Sequence, residues 1–122
     1  MERPVHLNLF RMSFPPMAIV SILHRISGVL IFLLLPLALH LLYQSLQSHS
    51  SFMALKQSLT SPCLLFFVWI LICAAGFHLL AGIRHMFMDC GYGESLVVAR
   101  VTAYVIFFLA IILFVLAGVW LW

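Results

Sequence analysis

Charge is what this 122-residue chain has least of: Asp, Glu, Lys and Arg together make up 7% of it, with only three acidic side chains, against 66% hydrophobic residues. A soluble domain of this length could not hide that much apolar surface, which excludes water as the surroundings of most of the chain. Cysteine is scarce too. Cys63, Cys73 and Cys90 are an odd number, two of them inside apolar runs, so no disulfide framework is expected. No C-x-x-C-H occurs, which excludes a covalently attached c-type haem. Nor does an A-x-A site close the first apolar run, and arginines are spread through the residues before it, so that run reads as a signal anchor that stays. There are no internal repeats.

What is present is three apolar runs, roughly residues 26–46, 62–88 and 101–122. Each reaches the roughly 20 residues that a membrane-spanning helix needs. The fold expected is all-α and integral to the membrane, a single membrane-anchor domain over 1–122 with spans at about 22–46, 62–88 and 101–122. Residues 1–20 mix Phe10, Met12, Phe14 and Met17 with His6, Asn8 and Arg11, and read as a cytoplasmic interfacial segment that Pro15-Pro16 interrupts. Pro36 should kink or locally break the first span. The connection from 47 to 61 is polar and Ser-rich, Pro62 suits the first turn of the second helix, and Gly91 and Gly93 mark the turn after Asp89.

Arg3, Arg11, Arg25, Arg84 and Arg100 flank one set of span ends, whereas Lys56 stands alone in the first connection. By the positive-inside rule the N-terminus and the second connection are cytoplasmic, and Trp120 and Trp122 sit at the opposite interface. The net charge of +3 serves this anchoring in the lipid bilayer, and no nucleic-acid partner is expected.

Ionisable residues inside a span are costly and mark functional sites by default. The stretch from His78 to His85 places two histidines about two turns apart on one helix face, about 10 Å from each other along the axis. Ala74, Ala81 and Gly82 are small neighbours on that face, which would let something large and flat, such as a porphyrin, approach the backbone. A lone intramembrane histidine is equally often a hydrogen-bonding partner for a neighbouring helix. As a ligand of a non-covalent b-type haem, its second ring nitrogen needs an acceptor that fixes the ring. Arg84 and His85 either sit at the interface or pair with anionic groups at the edge of the same cofactor.

Ser21, His24, Arg25 and Gly28 form a second constellation, at i, i+3, i+4 and i+7 of one helix face. An arginine there can simply snorkel to headgroups. Snorkelling needs neither Ser21 nor His24, whereas anionic carboxylates or a polar ring in apolar surroundings would use all of them. Sixteen residues part His40 from His24, roughly 24 Å along a helix, so the two cannot share a small ligand. His6, His49, the methionines and the phenylalanines carry no assigned chemistry.

Arg3-Pro4, Ser21-x-x-His24-Arg25-x-Ser27-Gly28 and His78-x-x-x-Gly82-Ile83-Arg84-His85-Met86-x-Met88-Asp89-x-Gly91 resemble, in order and over the whole chain, the family of succinate dehydrogenase cytochrome b subunits. The resemblance implies a multi-pass anchor subunit of succinate:quinone oxidoreductase in the inner (cytoplasmic) membrane, inactive by itself. Its partners would be an iron–sulfur subunit, a flavoprotein subunit bound to that, and a second three-helix anchor. The two anchors would form a heterodimeric haem-binding bundle around one haem b, with His78 as axial ligand of the iron and the second ligand from the partner. His24, Arg25 and His85 match positions near the haem propionates, and Ser21 and Arg25 match the ubiquinone pocket. Hydroxyl and guanidinium donors one turn apart suit a quinone carbonyl, which gains electron density on reduction. The alternatives are the anchor of a quinol:fumarate reductase and a non-haem structural anchor.

Overall fold

The computed structural model describes residues 13–122. The expectations placed on Arg3, His6, Phe10, Arg11 and Met12 lie outside the described residues. Among the described residues four helices follow one another: α1 (Pro16–Gln47), α2 (His49–Ser58), α3 (Pro62–Asp89) and α4 (Leu96–Leu121). Of these, α1, α3 and α4 are long and apolar enough to cross a membrane.

The proline pair is a start signal. Pro15 is extended (φ −65°, ψ 151°), as a residue before proline prefers, and Pro16 opens α1 where a missing N–H leaves nothing unsatisfied. The Pro15 carbonyl then accepts from the Ala18 and Ile19 amides at 3.0 and 3.3 Å. The helix therefore begins before the apolar run does, and Ser21, His24 and Arg25 all ride on it. Further along, α1 continues through Pro36.

The Ser-rich connection contains a helix that composition alone did not announce. Ser48 is its N-cap, with Oγ accepting from the Ser51 amide at 3.1 Å, and the Ser51 hydroxyl donates back to the Gln44 carbonyl at 2.8 Å. Leu55 is the buried residue of α2, and the helix packs on α1. By contrast, the turn after Asp89 is as expected. Tyr92 N donates to the Phe87 carbonyl at 3.0 Å and Gly91 N to Met88 at 2.9 Å, with Gly91 and Gly93 at φ 84° and 74°. Only glycine enters that region without a Cβ penalty. Ser95 caps α4, its Oγ accepting from the Val98 amide at 3.4 Å.

Both α3 and α4 pack on α1 and on each other. Their core is thin and built of small residues: Ala81 and Ala103 are fully buried with Val20, and Phe77, Ile106 and Ala110 complete the cluster. Without a hydrophobic drive between helices in lipid, close backbone approach over small residues is what holds such a bundle. Gly76 lies under Leu113 so closely that a Cβ there would collide with it. Ala81 serves helix packing, fully buried in that core, whereas Ala74, also buried, lines an apolar cavity with Ser27, Cys73 and Phe77. At the far end, Trp69 Nε1 donates to the Phe114 carbonyl at 3.1 Å and ties α3 to α4. The outward face is mostly apolar, with Phe32, Phe108 and Val119 all exposed.

The start of α1, the end of α3 and the start of α4 meet at one end of the bundle. His24 is against His78, and Arg84 is bonded to Thr102. Arg25, Arg84 and Arg100 thus gather at that end, and Lys56, on α2, is at the other.

Candidate functional site

At that end α1 and α3 bring three imidazoles together. The His24 and His78 rings stack, centroids 4.0 Å apart and 17° between planes, and His85 lies 5.2 Å from His24, tilted by 50°. Two glycines make the approach possible. A Cβ on Gly28 would sit 3.1 Å from His78 Cε1, tighter than ordinary van der Waals contact, and one on Gly82 would sit 3.4 Å from His24 Nε2.

The polar contacts of His78 specify its tautomer. Its Nδ1 is 3.1 Å from the His24 carbonyl oxygen and 3.0 Å from Ser27 Oγ, while the Ser27 hydroxyl donates to that same carbonyl at 2.7 Å. A carbonyl can only accept, and the Ser27 proton is already engaged with it. The consistent assignment has Nδ1–H donating to both oxygens, which leaves the lone pair on Nε2. An imidazole held by its Nδ1–H with Nε2 unprotonated is the form that ligates a metal. Among the described residues Nε2 of His78 has no hydrogen-bond partner.

A second nitrogen is left over. Nε2 of His24 is buried without a partner among the described residues. A buried polar atom so placed costs about 1–3 kcal/mol unless something satisfies it. The set available at this end is therefore one lone pair held ready, one orphaned ring nitrogen, a third imidazole, and the exposed guanidinium of Arg25. That donor set fits a metal-centred group carrying anionic arms, and it fits a haem.

The face drawn through Ser21, His24, Arg25 and Gly28 is divided by the fold. His24 and Gly28 are engaged with α3, Ser21 is half-buried, and Arg25 is exposed. Arg84 does not join them. It is buried, its Nε donating to Thr102 Oγ1 at 3.0 Å and its Nη2 to the Ala99 carbonyl at 2.9 Å. Six residues after His78, it stands about 240° around α3 and so belongs to the α4 side, whereas His85, seven residues on, returns to the His78 side. Ser27 is the residue at this site that helical spacing missed. Beyond its place in the motif that resembles the family, its signal was a hydroxyl embedded in an apolar run, which must find a partner inside the bundle.

Comparison with known proteins bears on this arrangement. Residues 1–117 match the succinate dehydrogenase/fumarate reductase transmembrane subunit family. The chain is 48% identical over 122 residues to the succinate dehydrogenase cytochrome b556 subunit of Coxiella burnetii, covering 99% of this chain and 98% of the relative. The cytochrome b556 subunits of Rickettsia typhi and Rickettsia prowazekii are 29% and 28% identical, each alignment covering 97% of this chain and 92% of the relative.

Proposed function

Because the chain belongs to the succinate dehydrogenase/fumarate reductase transmembrane subunit family, and is in coarse terms a membrane anchor of that complex, we propose that it holds haem b jointly with a second anchor and helps form the ubiquinone-reduction site. The observation that carries this reading is the His78 ring, fixed through Nδ1 by Ser27 Oγ and the His24 carbonyl with its Nε2 lone pair left for iron. His78 would be the axial ligand of the iron, and His24, Arg25 and His85 would meet the propionates. When bound, haem supplies a one-electron carrier between the anchors. The protein's own part is to hold the ring in one tautomer, exclude lipid from the ligand, and present the Arg25 guanidinium and imidazole nitrogens to the carboxylates. The iron–sulfur and flavoprotein subunits would dock at the same end, so that electrons from succinate reach quinone there. The names of the relatives favour succinate oxidation as the direction.

At the quinone, Ser21 and Arg25 are the proposed donors. Ser21→Ala removes one hydroxyl without altering charge, and a buried polar partner left unpaired costs roughly 1–3 kcal/mol, equivalent to about fivefold to a hundredfold in rate. In the purified complex, succinate-to-quinone turnover at limiting quinone should fall by about that factor. Succinate oxidation by an artificial acceptor that takes electrons upstream should stay unchanged. Arg25→Lys should also slow quinone reduction, since an ammonium keeps the charge and loses the planar fork. Normal quinone reduction by both variants would return Arg25 to anchoring and Ser21 to packing.

The anchor would lie in the inner membrane with its N-terminus cytoplasmic, as the gathering of Arg25, Arg84 and Arg100 at one end and Lys56 at the other supports. Reporter fusions at Ser50 and after Trp122 should both read the side away from the cytoplasm. A cytoplasmic signal from either fusion reverses the orientation.

A further inference from the structure

Among the described residues, the buried cation on the flank away from the histidines has no anion to balance it. Arg84 is 7% exposed, and the groups it is bonded to, the Thr102 hydroxyl and the Ala99 carbonyl, are both neutral. Dipoles solvate a guanidinium, but in low-dielectric surroundings an uncompensated charge remains costly. Among the described residues the acidic side chains are Asp89 and Glu94, both exposed, and neither is bonded to Arg84. Glu2 lies outside the described residues. The guanidinium also keeps unused donors, because its Nη1 and one N–H of Nη2 are bonded to no described residue.

Arg84 lines a groove of about 410 Å³ between α3 and α4. The groove is chemically graded along its length. At the turn end it is bordered by Tyr92, Gly93 and the Arg84–Thr102 pair, while Ile106 and Leu109 carry it into the span as purely apolar wall. From Thr102 to Leu109 is seven residues, about 10 Å of helix. A single cation at the water-facing end of an apolar slot complements an amphiphile with an anionic head and a hydrocarbon tail.

We propose that this groove binds an anionic phospholipid, its phosphate against Arg84 and an acyl chain along Ile106 and Leu109. The lipid supplies the counter-charge that the described part of the chain does not, and it closes the α3–α4 contact from outside. This site is independent of the histidines, so the proposal stands whether or not haem and quinone bind as inferred for the other flank.

The test uses the complex purified in detergent, incubated with vesicles of equal parts phosphatidylglycerol and phosphatidylcholine, re-isolated, and analysed for retained lipid by mass spectrometry. The wild type should keep roughly one phosphatidylglycerol per copy of the chain and about fivefold less phosphatidylcholine. Val105→Trp narrows the groove from an exposed wall position and leaves the Arg84 hydrogen bonds intact; retained phosphatidylglycerol should drop by about fivefold while the complex keeps all its subunits. Arg84→Gln should abolish the preference for the anionic lipid, and if that variant fails to assemble, Val105→Trp still decides. Equal retention of the two lipids by the wild type, no retention of either, or undiminished phosphatidylglycerol in Val105→Trp overturns the proposal. So does a Val105→Cys variant that cross-links to another subunit, since a protein would then cover the groove.

Discussion

Replacing His78 by alanine should leave the assembled complex with less than about a tenth of the wild-type haem, because no other described side chain presents a fixed nitrogen lone pair at that position. Haem-to-protein ratio in the purified complex measures it directly. The companion variant Ser27→Ala keeps the ligand and removes one of the two acceptors of its Nδ1–H, with the His24 carbonyl still in place. Loss of such an outer partner typically weakens metal binding by about 10–100-fold. Ser27→Ala should therefore retain haem more weakly than wild type and shift its reduction potential, a response that a mere packing residue would not give. A His78→Ala complex with full haem content would remove His78 from the iron. A Ser27→Ala complex with unchanged haem affinity and potential would mean that the His24 carbonyl alone fixes the ring.

The second large effect comes from a residue with no polar atom to lose. At Gly28 a bare Cβ already comes within 3.1 Å of His78 Cε1. Alanine would need the ring to yield by a few tenths of an ångström, whereas valine adds two further methyl groups on a β-carbon that cannot turn them all away. Overpacking of this kind costs about 1–3 kcal/mol, roughly fivefold or more in the occupancy of the undisturbed ring position. Haem content should thus fall well below half in Gly28→Val and stay close to wild type in Gly28→Ala. Should Gly28→Val bind haem normally, the close approach of α1 to the His78 ring would not be what positions it.

Local chemistry was readable along the chain because its causes are local. Pro16 and Pro62 each open a helix, and the Gly91–Gly93 turn ends α3, since these positions answer to φ angles and missing amides that a few neighbouring residues decide. The helix α2 was hidden by its Ser-rich composition, which resembles a loop until Ser48 is seen as a cap with the Ser51 amide on it. Faces were harder than elements. A single helix shows that Ala74, Ala81 and Arg84 lie near His78 in sequence, but which flank meets which neighbour depends on packing. Ala81 joined Val20 in the core and Arg84 turned to α4. The His24–His78 contact links residues 54 apart, and its register is set by Gly28 and Gly82. Resemblance to the family pointed to both histidines; only the fold joined them through Ser27.

The most direct measurement is the dithionite-reduced minus oxidised optical spectrum of the wild-type complex, purified through a tag on this chain and normalised to its flavin. A low-spin b-type band corresponding to about one haem per flavin is the expected result, as a shared bis-imidazole site between two anchors requires. A complex that carries flavin, oxidises succinate and reduces quinone, yet shows no b-type band, would contradict haem binding at His78 and leave the three histidines as a helix-packing cluster.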